Sequence, residues 1–153
     1  MTPKRSNKKL HFQFPQSNKS KNGGYCFPLQ GAGFYNLHPY FSFKKYNHDN
    51  SEFNFSNFST NEICIFFQEL KDMSNHTWKE IFQDYRDYYH AHKVEWHKTA
   101  FINGFKHDKS IEYQPVYQFK VYKQWRVFGY FNHHNIFKIV WIDKNHLVYP
   151  CDK

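Results

Sequence analysis

The sequence predicts one α+β domain, in which two N-terminal helices pack on a four-stranded antiparallel sheet. Two helix-capping boxes introduce apolar stripes at helical spacing between residues 59 and 85. Alternating runs separated by short turns then fill residues 116–149, as strands do. Helices followed by hairpin-connected strands are typical of an α+β layer architecture. The length of 153 residues fits one such domain preceded by a tail.

The first 35 residues are predicted to be a basic, disordered tail, with the domain spanning residues 36–153. Residues 1–22 contain six Lys or Arg and no Asp or Glu, and Gly23-Gly24 and Gly31-Ala32-Gly33 follow. A segment of this composition buries too little apolar surface to offset its ordering entropy. We expect it to contact RNA or an acidic partner, or to remain solvated.

The two predicted helices begin at capping boxes. Ser59 precedes Glu62 by three residues, and Thr77 precedes Glu80 by three. The apolar positions that follow are Ile63, Phe66, Phe67, Leu70 and Met73 in the first helix, and Trp78, Ile81, Phe82 and Tyr85 in the second. The tight turn between them predicts an αα-hairpin whose aromatic residues face the core. A short strand at Tyr40–Phe43 and a loop at 46–58 come before it.

Four strands are predicted in the C-terminal half. They are Val116–Tyr122, Trp125–Phe131, Ile136–Ile142 and His146–Tyr149, with Pro150 ending the last. The third run is mostly apolar, as in a central strand covered on both faces. Upstream, residues 88–96 fit either a short strand or an irregular crossing segment, and residues 98–105 fit a helical turn.

The net charge of +8 is unevenly distributed. Residues 46–114 contain seven Lys or Arg against eleven Asp or Glu, whereas residues 115–153 contain six against two. A basic face attracts phosphate backbones, although a solvated surface without a partner has the same composition. The aromatic content of 22% has a simple explanation in an AT-rich genome, so by itself it does not indicate nucleic-acid binding.

Several protein classes are disfavoured. The three cysteines are odd in number and far apart, which argues for reduced thiols rather than a disulfide framework. No run approaches the roughly 20 apolar residues of a membrane span, and the basic N-terminus lacks the apolar core of a secretory signal. We therefore expect a cytoplasmic protein that does not contact a membrane.

The histidines do not form a metal motif. His90 and His92 would share one face of a strand, and His133-His134 lies in a predicted turn. Zinc requires three or four ligands in a tight arrangement, and neither an HExxH motif nor a Cys pair supplies them. We expect no metal and no cofactor.

Alternation brings polar residues together on the predicted sheet. Lys120 and Arg126 are expected to be neighbours on a solvent-facing surface, while His146 and Tyr149 point to opposite faces of a regular strand. Metal-independent RNA cleavage needs a base, an acid and cations for the phosphate, and His and Arg suit these roles. The alternative for Arg126 is a stabilising ion pair with an acid such as Asp143.

The C-terminal segment resembles the RelE/ParE toxin superfamily of small bacterial proteins. The similar parts are Trp125–Tyr130 and Ile136–Pro150, which includes a W-x-D-x-N-H-x-x-Y pattern from Trp141 to Tyr149. Upstream, Leu70 and Thr77–Ile81 resemble the helix junction of that superfamily. The resemblance covers residues 40–150 and implies a RelE-like fold, together with the activity of a toxin-like endoribonuclease in a toxin–antitoxin or phage-defence module.

The resemblance also implies roles for individual residues. The implied catalytic residues are His92 and His146, which would exchange protons, Arg126, which would hold the phosphate, and Tyr149, which would stack on or position a nucleobase. The expected RNA-binding residues are Lys120, Lys123, Trp141 and Lys144. The expected partners are RNA, including ribosome-bound mRNA, and an antitoxin protein. Two other functions stay open: a non-catalytic protein of the same fold that binds RNA or inhibits a protein target, and an accessory protein of a defence or mobile element.

Overall fold

The computed structural model describes residues 32–150, so residues 1–31 of the predicted tail lie outside the described part. The helices are α1 (Ala32–Tyr35), α2 (Thr60–Met73) and α3 (Arg86–Tyr89). Phe55–Asn57 and Trp96–Lys98 form 3₁₀ turns, and Glu80–Asp84 forms a π-helical turn. The strands are β1 (Phe41–Ser42), β2 (His92–Lys93), β3 (Tyr117–Tyr122), β4 (Trp125–Phe131) and β5 (Phe137–Asp143).

The five strands form one mixed sheet in the order β1-β5-β4-β3-β2. β1 runs parallel to β5, and the other neighbours are antiparallel. The prediction of two helices on a four-stranded antiparallel sheet, the RelE-like architecture, is therefore wrong. The outer strands β1 and β2 join the sheet through pairings between residues far apart in sequence, and local alternation gives no signal for such pairings.

The first predicted helix is confirmed as α2, and its capping box is formed. The Ser59 hydroxyl accepts from the Glu62 N–H at 3.2 Å, and the Glu62 carboxylate accepts from the Ser59 N–H at 2.9 Å. The second box also forms, because the Glu80 carboxylate accepts from the Thr77 N–H at 2.6 Å. The chain after it is not a regular helix, however: it passes through the π-helical turn before the four residues of α3.

The predicted last strand is wrong: residues 146–149 form an irregular turn. The Asp143 carboxylate accepts hydrogen bonds from the Leu147 and Val148 N–H groups, each at 2.9 Å. His146 has a φ of 59°, in the left-handed region. The Asp143 side chain therefore accepts the N–H hydrogen bonds that a neighbouring strand would otherwise accept. The backbone also changes direction at His146, where a strand would continue.

Both faces of the sheet are covered, each by an apolar cluster of its own. β4 is buried at all seven of its positions. The cluster on the side of α2, here the helix-side core, includes Phe66, Leu70, Trp78, Phe119, Val127 and Phe137. The cluster on the other side, the loop-side core, includes Phe53, Val94, Phe105, Phe128, Trp141 and Val148. The sheet surface that the sequence analysis left open to solvent is therefore largely closed by residues 94–116 and 147–149.

β4 and β5 approach each other unusually closely at Gly129. The pairing register shifts between Phe128 and Gly129, which marks a β-bulge. A Cβ atom at position 129 would overlap the carbonyl oxygen of Lys138 and lie 2.7 Å from the Phe137 ring. Only glycine fits this contact, because any side chain would push the two central strands apart.

Candidate functional site

A row of charged residues crosses the sheet at one end of β4. Lys120 of β3 lies opposite Arg126 of β4, and Arg126 lies opposite Asp143 of β5. The predicted proximity of Lys120 and Arg126 is therefore confirmed. The row is not on an open surface, since Arg126 is 8% exposed and Asp143 is 1% exposed. One Arg126 nitrogen, Nη1, donates to the carbonyl oxygens of Lys123 and Trp125, each at 3.2 Å.

His92 lies at the sheet edge beside this row. β2 pairs with β3 so that His92 stands opposite Gln118, which is two residues from Lys120 along the same face. The His92 Nε2 atom lies 2.7 Å from the Gln118 amide nitrogen, and Nδ1 lies 2.8 Å from the Lys93 carbonyl oxygen. Both imidazole nitrogens are therefore engaged, which fixes the orientation of the ring.

Tyr149 reaches His92 because the C-terminal segment turns back. The His92 and Tyr149 rings meet edge to face with their centroids 5.6 Å apart. The Tyr149 hydroxyl accepts from the Glu95 N–H at 3.1 Å, and its burial raises its pKa. The opposite orientations expected for His146 and Tyr149 assumed a regular strand, which this segment does not form.

The electrostatics of the site favour neutral histidines. Burial lowers the pKa of His92, and Arg86 and Arg126 lower it further, while the Lys93 carbonyl and Glu95 act in the opposite direction. Burial also lowers the pKa of His90, with Arg126 and Lys120 adding to the effect. Arg126 thus acts on both imidazoles, which places these side chains in one charged neighbourhood.

An exposed aromatic ring completes this neighbourhood. Tyr88 of α3 is 59% exposed, and the Lys120 ammonium lies 5.0 Å from the centroid of its ring. His90, which ends α3, adopts a left-handed conformation with φ 46° and is exposed. We call this surface the basic edge, and its residues are Arg86, Tyr88, His90, His92, Lys120, Lys123 and Arg126.

Of the other predicted site residues, Lys123 belongs to the basic edge, whereas Trp141 and His146 lie outside it. Lys123 occupies the β3–β4 turn, exposed, with its ammonium 5.2 Å from the centroid of the Tyr122 ring. Trp141 belongs to the loop-side core and stacks on Phe53 at 4.5 Å, so its ring cannot reach a base unless that core opens. His146 is part of the turn after β5, and its Nδ1 is buried with no hydrogen-bond partner among residues 32–150.

Lys144 lies on the other side of the sheet from His92. Its ammonium donates to the Glu62 carboxylate at 2.7 Å and to the Asn57 carbonyl at 2.6 Å, near the N-terminus of α2. It also lies 5.0 Å from the centroid of the Phe58 ring, in the helix-side core. The structure therefore brings His92, Tyr149, Arg126 and Lys120 together and leaves Lys144 and Trp141 outside the basic edge.

Sequence reasoning missed Gln118, Tyr88 and Arg86 as members of this neighbourhood. Gln118 was available from strand alternation, since it shares a face with Lys120. Tyr88 and Arg86 lie in a stretch with no clear period, and their place beside β3 depends on tertiary packing. Across the described part of the chain, no three His, Cys, Asp or Glu side chains cluster as metal ligands do. Nor does any helix there have the length and apolar character needed to cross a membrane.

Comparison with known proteins gives one match. A family model described as "Uncharacterised protein UU032" matches residues 34–153, which include every residue of the basic edge. The chain belongs to this family. No curated protein and no solved structure matches the chain. The description of the UU032 family names no activity, so the toxin and endoribonuclease functions implied by the RelE/ParE resemblance stay predictions.

Proposed function

We propose that the protein binds single-stranded RNA at the basic edge. The observation that supports this most directly is the Tyr88 ring, 59% exposed and 5.0 Å from the Lys120 ammonium. Large exposed aromatic rings next to cations are the typical platform for a nucleic-acid base and its phosphate. Bases become available for such stacking in single strands, because a helix keeps them stacked on each other.

The surrounding charges suit a phosphate backbone. Arg86, Lys120 and Arg126 act on the two histidines, and Asp87 and Glu95 are the acidic groups that act on them. Three cations and two acids act on these histidines, so an anionic strand gains Coulomb energy beside them. Lys123 extends the cationic surface toward the β3–β4 turn.

The binding test compares two exposed tyrosines in the full-length chain. We expect Tyr88→Ala to weaken binding of a labelled single-stranded RNA of about twelve nucleotides by about 1–3 kcal/mol, the contribution of one stacked base. The matched control is Tyr113→Ala, since Tyr113 is 90% exposed and its hydroxyl hydrogen-bonds to Glu112 rather than facing a cation. Fluorescence anisotropy measures both affinities. Equal affinities for the two variants would argue against stacking on Tyr88.

The phosphate contact has a separate test in the salt dependence of binding. Lys120→Gln is expected to lower the slope of log affinity against log salt by about one unit, the contribution of one phosphate contact. Lys109→Gln is the control, because the Lys109 ammonium is bound to Glu112 at 2.9 Å. An unchanged slope for Lys120→Gln would remove Lys120 from the binding surface.

RNA cleavage at the same edge is the second candidate function, favoured by the grouping of His92, Tyr149 and Arg126. In metal-independent cleavage a base removes the 2′-hydroxyl proton, the 2′-oxygen attacks phosphorus, and the departing 5′-oxygen receives a proton from an acid. A general base must be unprotonated, and His92 is neutral. The cationic Arg126 would stabilise the negative charge that develops on the phosphate oxygens. His90, the other histidine of the basic edge, is the candidate acid.

The cleavage test uses purified protein, chelator and no ribosomes. Cleavage by this route leaves 2′,3′-cyclic phosphate and 5′-hydroxyl ends, which we expect from the wild type and not from His92→Asn or Arg126→Lys. Thermal unfolding confirms that both variants fold. Intact RNA with unchanged binding would favour the non-catalytic function. Expression in a bacterial host tests the toxin role. Growth arrest that the same substitutions relieve would support that role, and a search for an antitoxin protein would then follow.

A further inference from the structure

The protonation state of His92 follows from its two hydrogen bonds. A carbonyl oxygen only accepts, so the contact between Nδ1 and the Lys93 oxygen at 2.8 Å requires a proton on Nδ1. In the neutral imidazole Nε2 then holds a lone pair, and the Gln118 amide nitrogen 2.7 Å away donates to it. With the amide placed in this way, the two contacts are those of a neutral His92 in its Nδ1–H form.

The same geometry leaves the other end of the Gln118 amide without a partner. Gln118 is 4% exposed, and its Oε1 atom is buried with no hydrogen-bond partner among the described residues. A buried acceptor in this state costs free energy that a hydrogen bond would recover. The amide is thus satisfied on one side only while His92 is neutral.

When His92 is protonated, Gln118 must present a hydrogen-bond acceptor to Nε2 instead of a donor. A protonated Nε2 becomes a donor and would face the two N–H bonds of the Gln118 amide at 2.7 Å, which is repulsive. Rotation of the amide by half a turn places Oε1 against Nε2–H. The new bond is charge-assisted, and it employs the oxygen that otherwise has no partner.

We propose that Gln118 is a positioning residue that orients His92 in both protonation states: its amide donates to neutral His92 and reverses when His92 takes up a proton, and RNA binding is coupled to that proton uptake. The coupling to RNA rests on the function proposed above, whereas the amide reversal belongs to the free protein. His92 would take up one proton for each RNA molecule bound. By linkage, protonation of His92 would increase the affinity for RNA by the same factor by which bound RNA increases the affinity of His92 for a proton.

The groups around His92 set the direction of this coupling. Burial, Arg86 from α3 and Arg126 from β4 disfavour the proton, whereas the Lys93 carbonyl and Glu95 from the chain after β2 favour it, and His92 in turn acts on its neighbour His90. The Tyr149 ring covers one side of the imidazole. A phosphate bound at the basic edge would offset the positive potential of Arg86 and Arg126, so it would raise the pKa of His92 and favour proton uptake.

The first test observes the free protein by ¹⁵N nuclear magnetic resonance across a pH titration. We expect a scalar coupling between the Gln118 amide nitrogen and His92 Nε2 at high pH, lost with the same midpoint at which His92 titrates. A Gln118 amide signal that stays unchanged while His92 titrates would overturn the amide reversal. This test uses no RNA, so its result is independent of whether the protein binds RNA.

Two substitutions at position 118 sharpen the result. Gln118→Glu supplies an acceptor only and should raise the His92 titration midpoint by about one to three pH units, the usual effect of an adjacent opposite charge. Gln118→Met supplies neither donor nor acceptor and should lower the midpoint, because the charged form loses the stronger of the two bonds. Midpoints that do not separate in this order would contradict the positioning role.

The coupling to RNA is tested by titration calorimetry in two buffers with different ionisation heats. Wild-type protein is expected to take up close to one more proton per bound RNA than His92→Asn does, and its affinity should rise by up to about tenfold per pH unit as pH falls. Equal proton uptake by the two proteins would overturn the coupling while leaving RNA binding intact. An absence of RNA binding would instead remove the proposed function and leave the amide reversal standing on the free-protein data.

Discussion

Two adjacent regions on one face of the sheet are stabilised in different ways. The loop-side core is held by rings: Phe53 stacks on Trp141 at 4.5 Å, and Phe105 meets Trp141 edge to face at 4.9 Å. The neighbouring region is equally buried but polar, with Gln118, Arg126 and Asp143 all less than 9% exposed. The contacts between rings depend on shape, whereas the polar contacts depend on hydrogen bonds and charge, so a proton or an anion acts most directly on the polar region.

The largest effect on the free energy of unfolding is expected from removing a ring of the aromatic region. Trp141→Ala should lower the free energy of unfolding by about 3–5 kcal/mol, because it removes a large buried ring and leaves a cavity. Its indole nitrogen is buried with no hydrogen-bond partner among residues 32–150, so the loss is one of packing. Urea unfolding measures it, with Tyr113→Ala as a control expected to change stability by less than about 0.5 kcal/mol. A loss below about 1 kcal/mol would show that this core is loosely packed.

A smaller effect on the free energy of unfolding is expected from removing the Asp143 carboxylate of the polar region. Asp143→Ala removes the acceptor of the Leu147 and Val148 N–H groups, and one unsatisfied buried donor costs about 1–3 kcal/mol. Asp143→Asn retains one side-chain oxygen and should lose less. Urea unfolding gives the total, and amide hydrogen exchange should accelerate first at residues 147 and 148. Uniform exchange across the sheet would mean that the carboxylate supports the whole fold rather than this turn.

The smallest effect is a pH dependence that only the polar region should show. The pKa of His92 is lowered in the folded chain, so below about pH 6.5, its unfolded value, the unfolded state binds protons more readily. Stability should therefore fall as pH decreases from that value and level off once folded His92 is protonated. His92→Asn should lose less stability than the wild type between about pH 7.5 and about pH 5 in urea titrations.

His90 provides the matched comparison for that pH effect. Its pKa is lowered in the same direction, but the residue is exposed while His92 is partly buried. His90→Asn should therefore change the pH dependence less than His92→Asn does. Equal effects of the two substitutions would show that the cations, rather than burial, determine which form of these histidines is stable.

Local rules predicted the parts of the fold that depend on neighbouring residues. Ser59 and Glu62 predicted the start of α2, and alternation from residue 116 onward predicted the β3–β4 and β4–β5 pairings. It also predicted that Lys120 lies beside Arg126. The wrong elements depend on distant residues or on one side chain. The pairing of Phe41 with Phe137 has no local signal, and the Asp143 carboxylate replaces the predicted final strand with a turn.

The candidate site was predictable only in part for the same reason. Histidine and arginine chemistry directed attention to His92 and Arg126, and β-pairing does place both on the β3–β4 side of the sheet. Trp141 was expected to bind RNA from the resemblance, although the apolar pattern of its strand already predicted cover on both faces, and it lies in the loop-side core. The role of Gln118 follows only from the direction of hydrogen bonds, which no residue pattern encodes.

The bulge at Gly129 gives the family a sequence marker. The Lys138 carbonyl and the Phe137 ring occupy the space that any side chain at this position would need. A relative that has a larger residue there would need β4 and β5 to move apart or to pair in another register, which would alter the sheet beside Arg126 and the basic edge. Sorting relatives by this one position would therefore separate chains that can share the site from chains that share only the ancestry.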